Sequence, residues 1–367
     1  MSYKVCKRCV MDNASDTSIE FDENGYCNYC TEALDSLPKR YFPNDEGKIK
    51  FEQLFKKIKE DGNGKQYDCL MGISGGLDSS YLAYIGHKQG LRILAVHIDD
   101  GLDTDITKNN IRNLTKKCNI DIIFEKPDAT QFYGLTAAFL RAGVPNIAIP
   151  QDNLIFAYLY KYAKKYRIKY FLAGGNFSME SILQRGNSHS AFDKKHIIDI
   201  NNKFGMTPID KLQITSSFER KIKDQILYRI KELKPLDYID YNKVRAIEEL
   251  EKFCDFSYYG GKHYESILTI FMQKYYLPQK FGVDKRRSHL SSLIVSGQIS
   301  REEALNEIDK PLYTDDVRSY IIKLLENLNM TQEELERLMN EEPISHSSYR
   351  VSNWRYVSKI VKFIRGY

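Results

Sequence analysis

At 367 residues the chain is long enough to bury a large core and to divide into roughly two or three domains. Hydrophobic residues make up 42% and charged residues 28%, the balance of an ordinary soluble protein, and no apolar run approaches the roughly 18 residues that a membrane span needs. A net charge of +5 is too small to argue for nucleic acid as a partner unless the cations cluster.

The N-terminus, MSYKVCKRCV, lacks the apolar stretch of a signal peptide, so a cytoplasmic location is the expectation. Cys6 and Cys9 form one C-x₂-C pair, and after residues 10–26 Cys27 and Cys30 form a second. That spacing is read as a four-thiolate zinc site, each pair folding into a tight knuckle that offers two sulfurs to one metal. Two disulfides, which a reducing cytosol disfavours, or four unrelated thiols are the alternatives. Four thiolates fill the tetrahedron, so the expected role is structural. Asn24-Gly25, between short β-type runs, signals a hairpin, and residues 1–45 are read as a zinc ribbon. The other cysteines, Cys69, Cys118 and Cys254, carry no C-x₂-C partner and read as inert thiols.

Pro38 and Pro43 punctuate a linker, a charged helix runs from about residue 48 to 59, and Gly62-Asn63-Gly64 leads into an apolar strand, Cys69 to Ile73. Then comes SGGLDSS, opening a helix over about 79–88. A strand-to-helix turn of this kind aims free backbone N–H groups and the positive helix end at one spot, a ready anion site. It is neither a Walker A loop nor a G-x-G-x-x-G turn. It resembles the pyrophosphate loop (PP-loop) of the N-type ATP pyrophosphatases, on Ser74, Gly75, Gly76, Asp78 and Ser79. An acidic side chain in a phosphate loop makes sense if Asp78 holds a Mg²⁺ that bridges the phosphates.

Further along, RILAVHIDDG is a second strand, about 105–118 a helix, 121–124 a strand, about 154–166 a helix, and IKYFLAGGN a strand ending in glycines. Alternating strands and helices predict an α/β fold with a doubly wound, mostly parallel sheet over residues 46–238. Ligands bind beyond the carboxyl ends of such strands. The resemblance to the ATP pyrophosphatases implies that the second of those ends meets the adenosine, through His97 or Asp99, the alternative being a solvated acidic turn; at the last, Gly174, Gly175 and Asn176 let the backbone approach a ligand. Glu180 lies one helical turn beyond Asn176 and is the expected second Mg²⁺ ligand. In related PP-loop enzymes this segment reads T-G-H-N-x-x-D-D, from which the chain departs at Gly175 and at Phe177 to Glu180.

From about Asp240 the pattern turns helical and charged, and residues 239–367 are read as a helical region for substrate or partner. Lys262, His263 and Glu265 follow Gly260-Gly261, and Lys285, Arg286, Arg287 and His289 form a basic run that reads either as a surface for a phosphate-bearing substrate or as a solvated helix face. Together CKRCVM, SGGLDSSY, AGGN, YGGKHYES and KFGVDKRRSHLSSL are similar to the N-acetyl sugar amidotransferases of the PP-loop superfamily, from Cys6 to about Leu305.

That resemblance implies conversion of an acetamido sugar, nucleotide-linked or free, into an acetamidino sugar in surface glycan biosynthesis. ATP would be spent to AMP and pyrophosphate, with Ser74 and Asp78 as the catalytic pair. It implies ATP and Mg²⁺ as cofactors beside the structural Zn²⁺ read from the cysteines, and a separate glutaminase as the ammonia source, while the lack of a long apolar run leads to the expectation of no membrane. Two other readings stay open. A tRNA-modifying PP-loop enzyme suits the ribbon and the basic segment, but the modest net charge and the lack of a catalytic cysteine pair speak against it. A non-catalytic scaffold would have no reason to keep Ser74 and Asp78.

Overall fold

A computed structural model describes residues 2–354. Its centre is a 5-stranded parallel sheet of β1 (Cys69–Gly72), β2 (Ile93–Ile98), β3 (Asp121–Glu125), β4 (Tyr170–Leu172) and β5 (Lys231–Leu233), in the order β3-β2-β1-β4-β5. Successive side chains point to opposite faces. Cys69, Met71, Ile93 and Ala95 enter one buried cluster, Leu70, Leu94 and Val96 another. The middle strands are therefore apolar throughout, as burial on both faces requires. The sheet edge at β3 is half-exposed.

Helices α1 (Asn28–Arg40) and α2 (Asp45–Gly62) precede the sheet. Within it run α3 (Leu77–Lys88), α4 (Asp105–Cys118), α5 (Ala129–Arg141), α6 (Ile149–Lys165), α7 (Phe177–Glu180) and α8 (Lys194–Phe204). Beyond it lie α9 (Lys243–Cys254), α10 (Ile267–Phe271), α11 (Leu277–Phe281), α12 (Arg286–Val295), α13 (Arg301–Ile308), α14 (Asp315–Leu328) and α15 (Gln332–Asn340). Asn44, Thr104 and Asp128 cap α2, α4 and α5 through their side chains, each accepting from a backbone N–H in the first turn. None of the helices among the described residues is long and apolar enough to cross a membrane.

Two features position the site. The chain runs outward from β1 to β2 and β3, then returns to lay β4 on the other side of β1. That reversal splits the loops after β1 and β4 and opens a crevice between them, the usual ligand position in such sheets. The second feature is a shared core. Phe132 and Phe139 of α5 pack in one cluster with Ile267 and Phe271 of α10 and Leu324 of α14, so the C-terminal helices are fused to the sheet layer.

Ahead of α1 the N-terminal segment has little regular structure: single antiparallel bridges join Val5 to Asp12 and Phe21 to Cys27, with Gly25 left-handed at the turn, while Pro38, expected in a linker, lies inside α1. Its four cysteines share a core with Phe177, Ile182 and Val295 of the main body.

Candidate functional site

The loop after β1 is held by its own side chains and by one distant segment. Ser74 Oγ and Ser79 Oγ lie 3.1 Å apart, Ser79 donates to the Gly76 carbonyl (3.1 Å), and the Gly76 N–H reaches Ser74 Oγ (3.2 Å). Gly75 takes φ +73°, and a Cβ there would lie 2.7 Å from the Thr107 carbonyl. Gly75→Ala is therefore expected to lower stability by roughly 1–2 kcal/mol from the left-handed backbone alone, read by denaturant melting, with nucleotide affinity falling as the loop shifts. At the end of β4 a Cβ on Gly174 would stand 3.0 Å from the Ser79 nitrogen, so the bare backbone is what lets the two loops meet.

Asp78, in the first turn of α3, is the hub. Its carboxylate accepts from Lys262 Nζ (2.9 Å), the Tyr241 hydroxyl (2.5 Å) and Asn176 Nδ2 (3.3 Å). Lys262 Nζ also meets Glu180 Oε1 at 2.9 Å, so one ammonium bridges the two carboxylates that the sequence singles out as metal ligands. Burial would raise the Asp78 pKa, but the Lys262 charge and the Tyr241 hydrogen bond overcome it and hold the group below its ordinary value. Burial likewise works against the Lys262 cation, and Asp78 and Glu180 outweigh it, raising its pKa. The donor set fits a hard cation: two carboxylates already share one cationic position beside a phosphate-type loop.

Tyr259 and Glu265 come from the same distant segment as Lys262. The Tyr259 hydroxyl accepts from the Leu77 N–H (2.8 Å), and Ser74 Oγ donates to Glu265 Oε1 (3.2 Å), while Glu265 Oε2 is buried without a partner. Loop and segment form one wall of a cleft of about 1170 Å³. His263, left-handed at φ 64°, Lys285, Arg286 and His289 also line it.

The remaining sequence-derived residues fall into different surroundings. His97 lines the cleft but is buried, with Nδ1 2.8 Å from the Ile73 carbonyl and Nε2 2.8 Å from Asp103. Both partners are acceptors, so the doubly protonated ring satisfies both. Burial disfavours that cation, yet Asp103 prevails and the His97 pKa is raised. Asp99 is not among the cleft-lining residues and pairs with Lys126 at 3.1 Å. Asn176 caps α7 through its side chain, which accepts from the Met179 N–H (3.0 Å). Arg286 is taken up by Asp284 and by the carbonyls of Glu307, Ile308 and Lys310. Arg287 is bound to Asp12 (2.8 Å) and the Val10 carbonyl (2.8 Å), and so belongs to the ribbon contact.

Sequence reading missed Tyr241, Tyr259, Lys243 and Asp152, all cleft residues except Tyr241. Tyr259 stands within the YYGGKHYES run and could have been singled out; nothing local marks Tyr241. Asp152, on the first turn of α6, has its carboxyl pushed up to about 6 by burial, with the His263 charge opposing.

The four N-terminal cysteines converge, their sulfurs all within 4.8 Å of one another and fully buried. Cys6 and Cys30 Sγ are 3.7 Å apart and Cys9 and Cys27 Sγ 3.6 Å. Those distances are too long for disulfides, which hold their sulfurs at about 2.05 Å, and match the tetrahedron edge of about 3.8 Å set by metal–sulfur bonds of about 2.3 Å. Backbone N–H groups of Arg8, Cys9 and Cys27 point at Cys6 Sγ, at 3.4, 3.4 and 3.2 Å, the arrangement that favours thiolates.

Residues 265–361 match the family model described as LPS biosynthesis protein WbpG-like, C-terminal domain. No curated protein matches the chain. Among solved structures, NMN synthetase from Francisella tularensis aligns over 78% of this chain and 95% of its own, at 15% identity and a TM-score of 0.35. The NH3-dependent NAD synthetase from Campylobacter jejuni aligns over 56% and 93%, at 15% identity and 0.30. The U34-tRNA thiolase of Methanococcus maripaludis, solved with its [4Fe-4S] cluster, aligns over 88% and 89%, at 13% identity and 0.34.

Proposed function

We propose, from the match of residues 265–361 to the WbpG-like LPS-biosynthesis domain family, that the chain is an ATP-dependent, AMP-forming N-acetyl sugar amidotransferase. The observation that carries this reading is the meeting of Ser74 with Glu265, 191 residues apart. It brings a loop built for pyrophosphate into one cleft with the start of a domain associated with glycan synthesis.

The chemistry follows from what an amide lacks. Its carbonyl carbon is a poor electrophile and its oxygen a poor leaving group. Attack of the acetamido oxygen on the α-phosphorus of ATP forms an O–P bond and expels pyrophosphate. Ammonia then adds at the carbon, AMP departs with the former carbonyl oxygen, and loss of a proton leaves the acetamidino group. The protein's part is positioning and charge neutralisation. The hydroxyls of Ser74 and Ser79 and the backbone of Gly75 and Gly76 would hold the pyrophosphate, and Lys262 would offset its charge. Asp78 and Glu180 are the residues suited to Mg²⁺, which neutralises phosphate charge when bound. The cysteine cluster is suited to structural Zn²⁺, since all four sulfurs would be ligands and no position stays open for a substrate.

Nitrogen has to come from elsewhere. A glutaminase generally uses a cysteine nucleophile activated by a base. Here the first four cysteines converge on one another, and burial pushes Cys118 and Cys254 up to about 12 and 11 and raises Cys69 further, so none is an activated thiolate. The purified chain is thus expected to consume ATP with ammonium salt at alkaline pH, where free NH₃ is present, and to stay silent with glutamine until a separate glutaminase is added. Glutamine-dependent amidination by this chain alone, followed by mass spectrometry of the sugar, would refute the arrangement.

A further inference from the structure

Cations and carboxylates both line the cleft, but some of the cations have no carboxylate in contact. Lys262 is matched by Asp78 and Glu180, and Arg286 by Asp284. Lys243, at the start of α9, and Lys285, next to the start of α12, are not. Both line the cleft half-buried, and neither ammonium makes an ion pair or hydrogen bond among the described residues; the carboxylates that act on them at longer range are Glu307 and Asp78 for Lys243 and Asp16 for Lys285. Lys243 Nζ instead lies 4.9 Å from the centroid of the Tyr258 ring. One turn along α12 from Lys285, His289 lines the same space with its ring 6.1 Å from that of His263. Burial lowers the pKa of both lysines, and that of His289 is lowered by burial and by Lys285, His263, Lys262 and Lys243 around it. Two partly desolvated ammonium groups without a contacting countercharge are unfavourable on their own, and an anionic ligand relieves them, with the His289 ring beside Lys285 free to donate a further hydrogen bond.

We propose that Lys243, Lys285 and His289 form an anion subsite, separate from the phosphate loop at residues 74–79, that takes a phosphate of the sugar substrate. The assignment to the sugar rests on the amidotransferase reading; the existence of the subsite does not. ATP is the other phosphate source in this cleft, but its phosphates have their own loop on α3. Lys285 and His289 stand instead within the residues matched to the LPS-biosynthesis domain.

The test uses the full chain with Mg²⁺ and saturating α,β-methylene-ATP to fill the phosphate loop, into which inorganic phosphate is titrated by calorimetry at low salt. A second saturable phosphate site is expected. It should weaken about tenfold or more in Lys243→Met/Lys285→Met, the cost of losing a charge-assisted contact, while the affinity for the ATP analogue stays within twofold. His289→Gln, which leaves both lysines, serves should the double variant fold poorly, and should weaken phosphate in the same direction. Absence of phosphate binding once the analogue is bound would overturn the proposal, as would undiminished binding in the variants or loss of analogue binding instead. Because the readout is binding, a failed amidination assay would count against the reaction and leave the subsite standing.

Discussion

Asp78→Asn is expected to leave the fold standing and to cut ATP cleavage by about 10²–10³-fold, the range for removing one preorganised electrostatic contact from an active site. The fold survives because an amide oxygen can still accept from Tyr241 and Asn176, and because Lys262 keeps Glu180 as its partner. Cleavage fails because a neutral amide is a poor ligand for a hard cation and because Lys262 loses one of its two countercharges. Phosphorus NMR checks the rate and the products together: the wild type should release AMP and pyrophosphate. Release of ADP by the wild type would show that the loop had been misread, and an unimpaired Asn variant would remove Asp78 from the mechanism.

Loss of the zinc proposed for the four-cysteine cluster is expected to have the largest effect on stability. Purified protein should hold about one zinc per chain, and Cys9→Ser, or a strong chelator, should unfold the ribbon. Structural zinc in small finger peptides binds with an apparent free energy of ~10–16 kcal/mol, and before α1 the segment has only single β-bridges among the described residues to fall back on. The damage should spread. Arg301 holds the carbonyls of Cys6 and Cys9, Arg287 holds Asp12, and Ser291 accepts from the Val10 N–H, so the ribbon braces α12 and α13. Phe177 and Ile182, on either side of Glu180, pack into the cysteine core. Metal analysis, thermal melting and analogue titration on one sample test the chain of effects. A metal-free protein with an unchanged melting curve would contradict it.

What could be read from the sequence was local. SGGLDSS announced its turn because glycines, a helix-starting Asp and a preceding apolar strand are neighbours, and β1 and α3 lie where that pattern puts them. The helix expected at about 105–118 is Asp105–Cys118, capped by Thr104. The ribbon hairpin came out as a tight turn at Gly25 with single bridges instead of paired strands.

Short or uniformly apolar elements escaped. β5 is three residues, Lys-Glu-Leu, at a sheet edge, and α5 buries apolar side chains around most of its circumference, so neither shows a clean period. Long-range pairing escaped as well. The basic run near residue 286 was visible, but not that Arg287 answers Asp12 and Arg286 its own Asp284, which leaves Lys285 for the cleft. Nor could spacing reveal that Lys262 spans 184 residues to reach Asp78.

The central claim is that adenylation and amidination happen in one cleft on an acetamido sugar. Its most direct test is to incubate the purified chain with ATP, Mg²⁺, ammonium and a panel of nucleotide-linked acetamido sugars, and to weigh the sugars. One of them is expected to change in mass by the exchange of an oxygen for an NH group, with AMP and pyrophosphate formed in equal amount. An unchanged panel accompanied by steady release of AMP and pyrophosphate in the presence of tRNA would contradict it, and would place the chain among RNA-modifying enzymes instead.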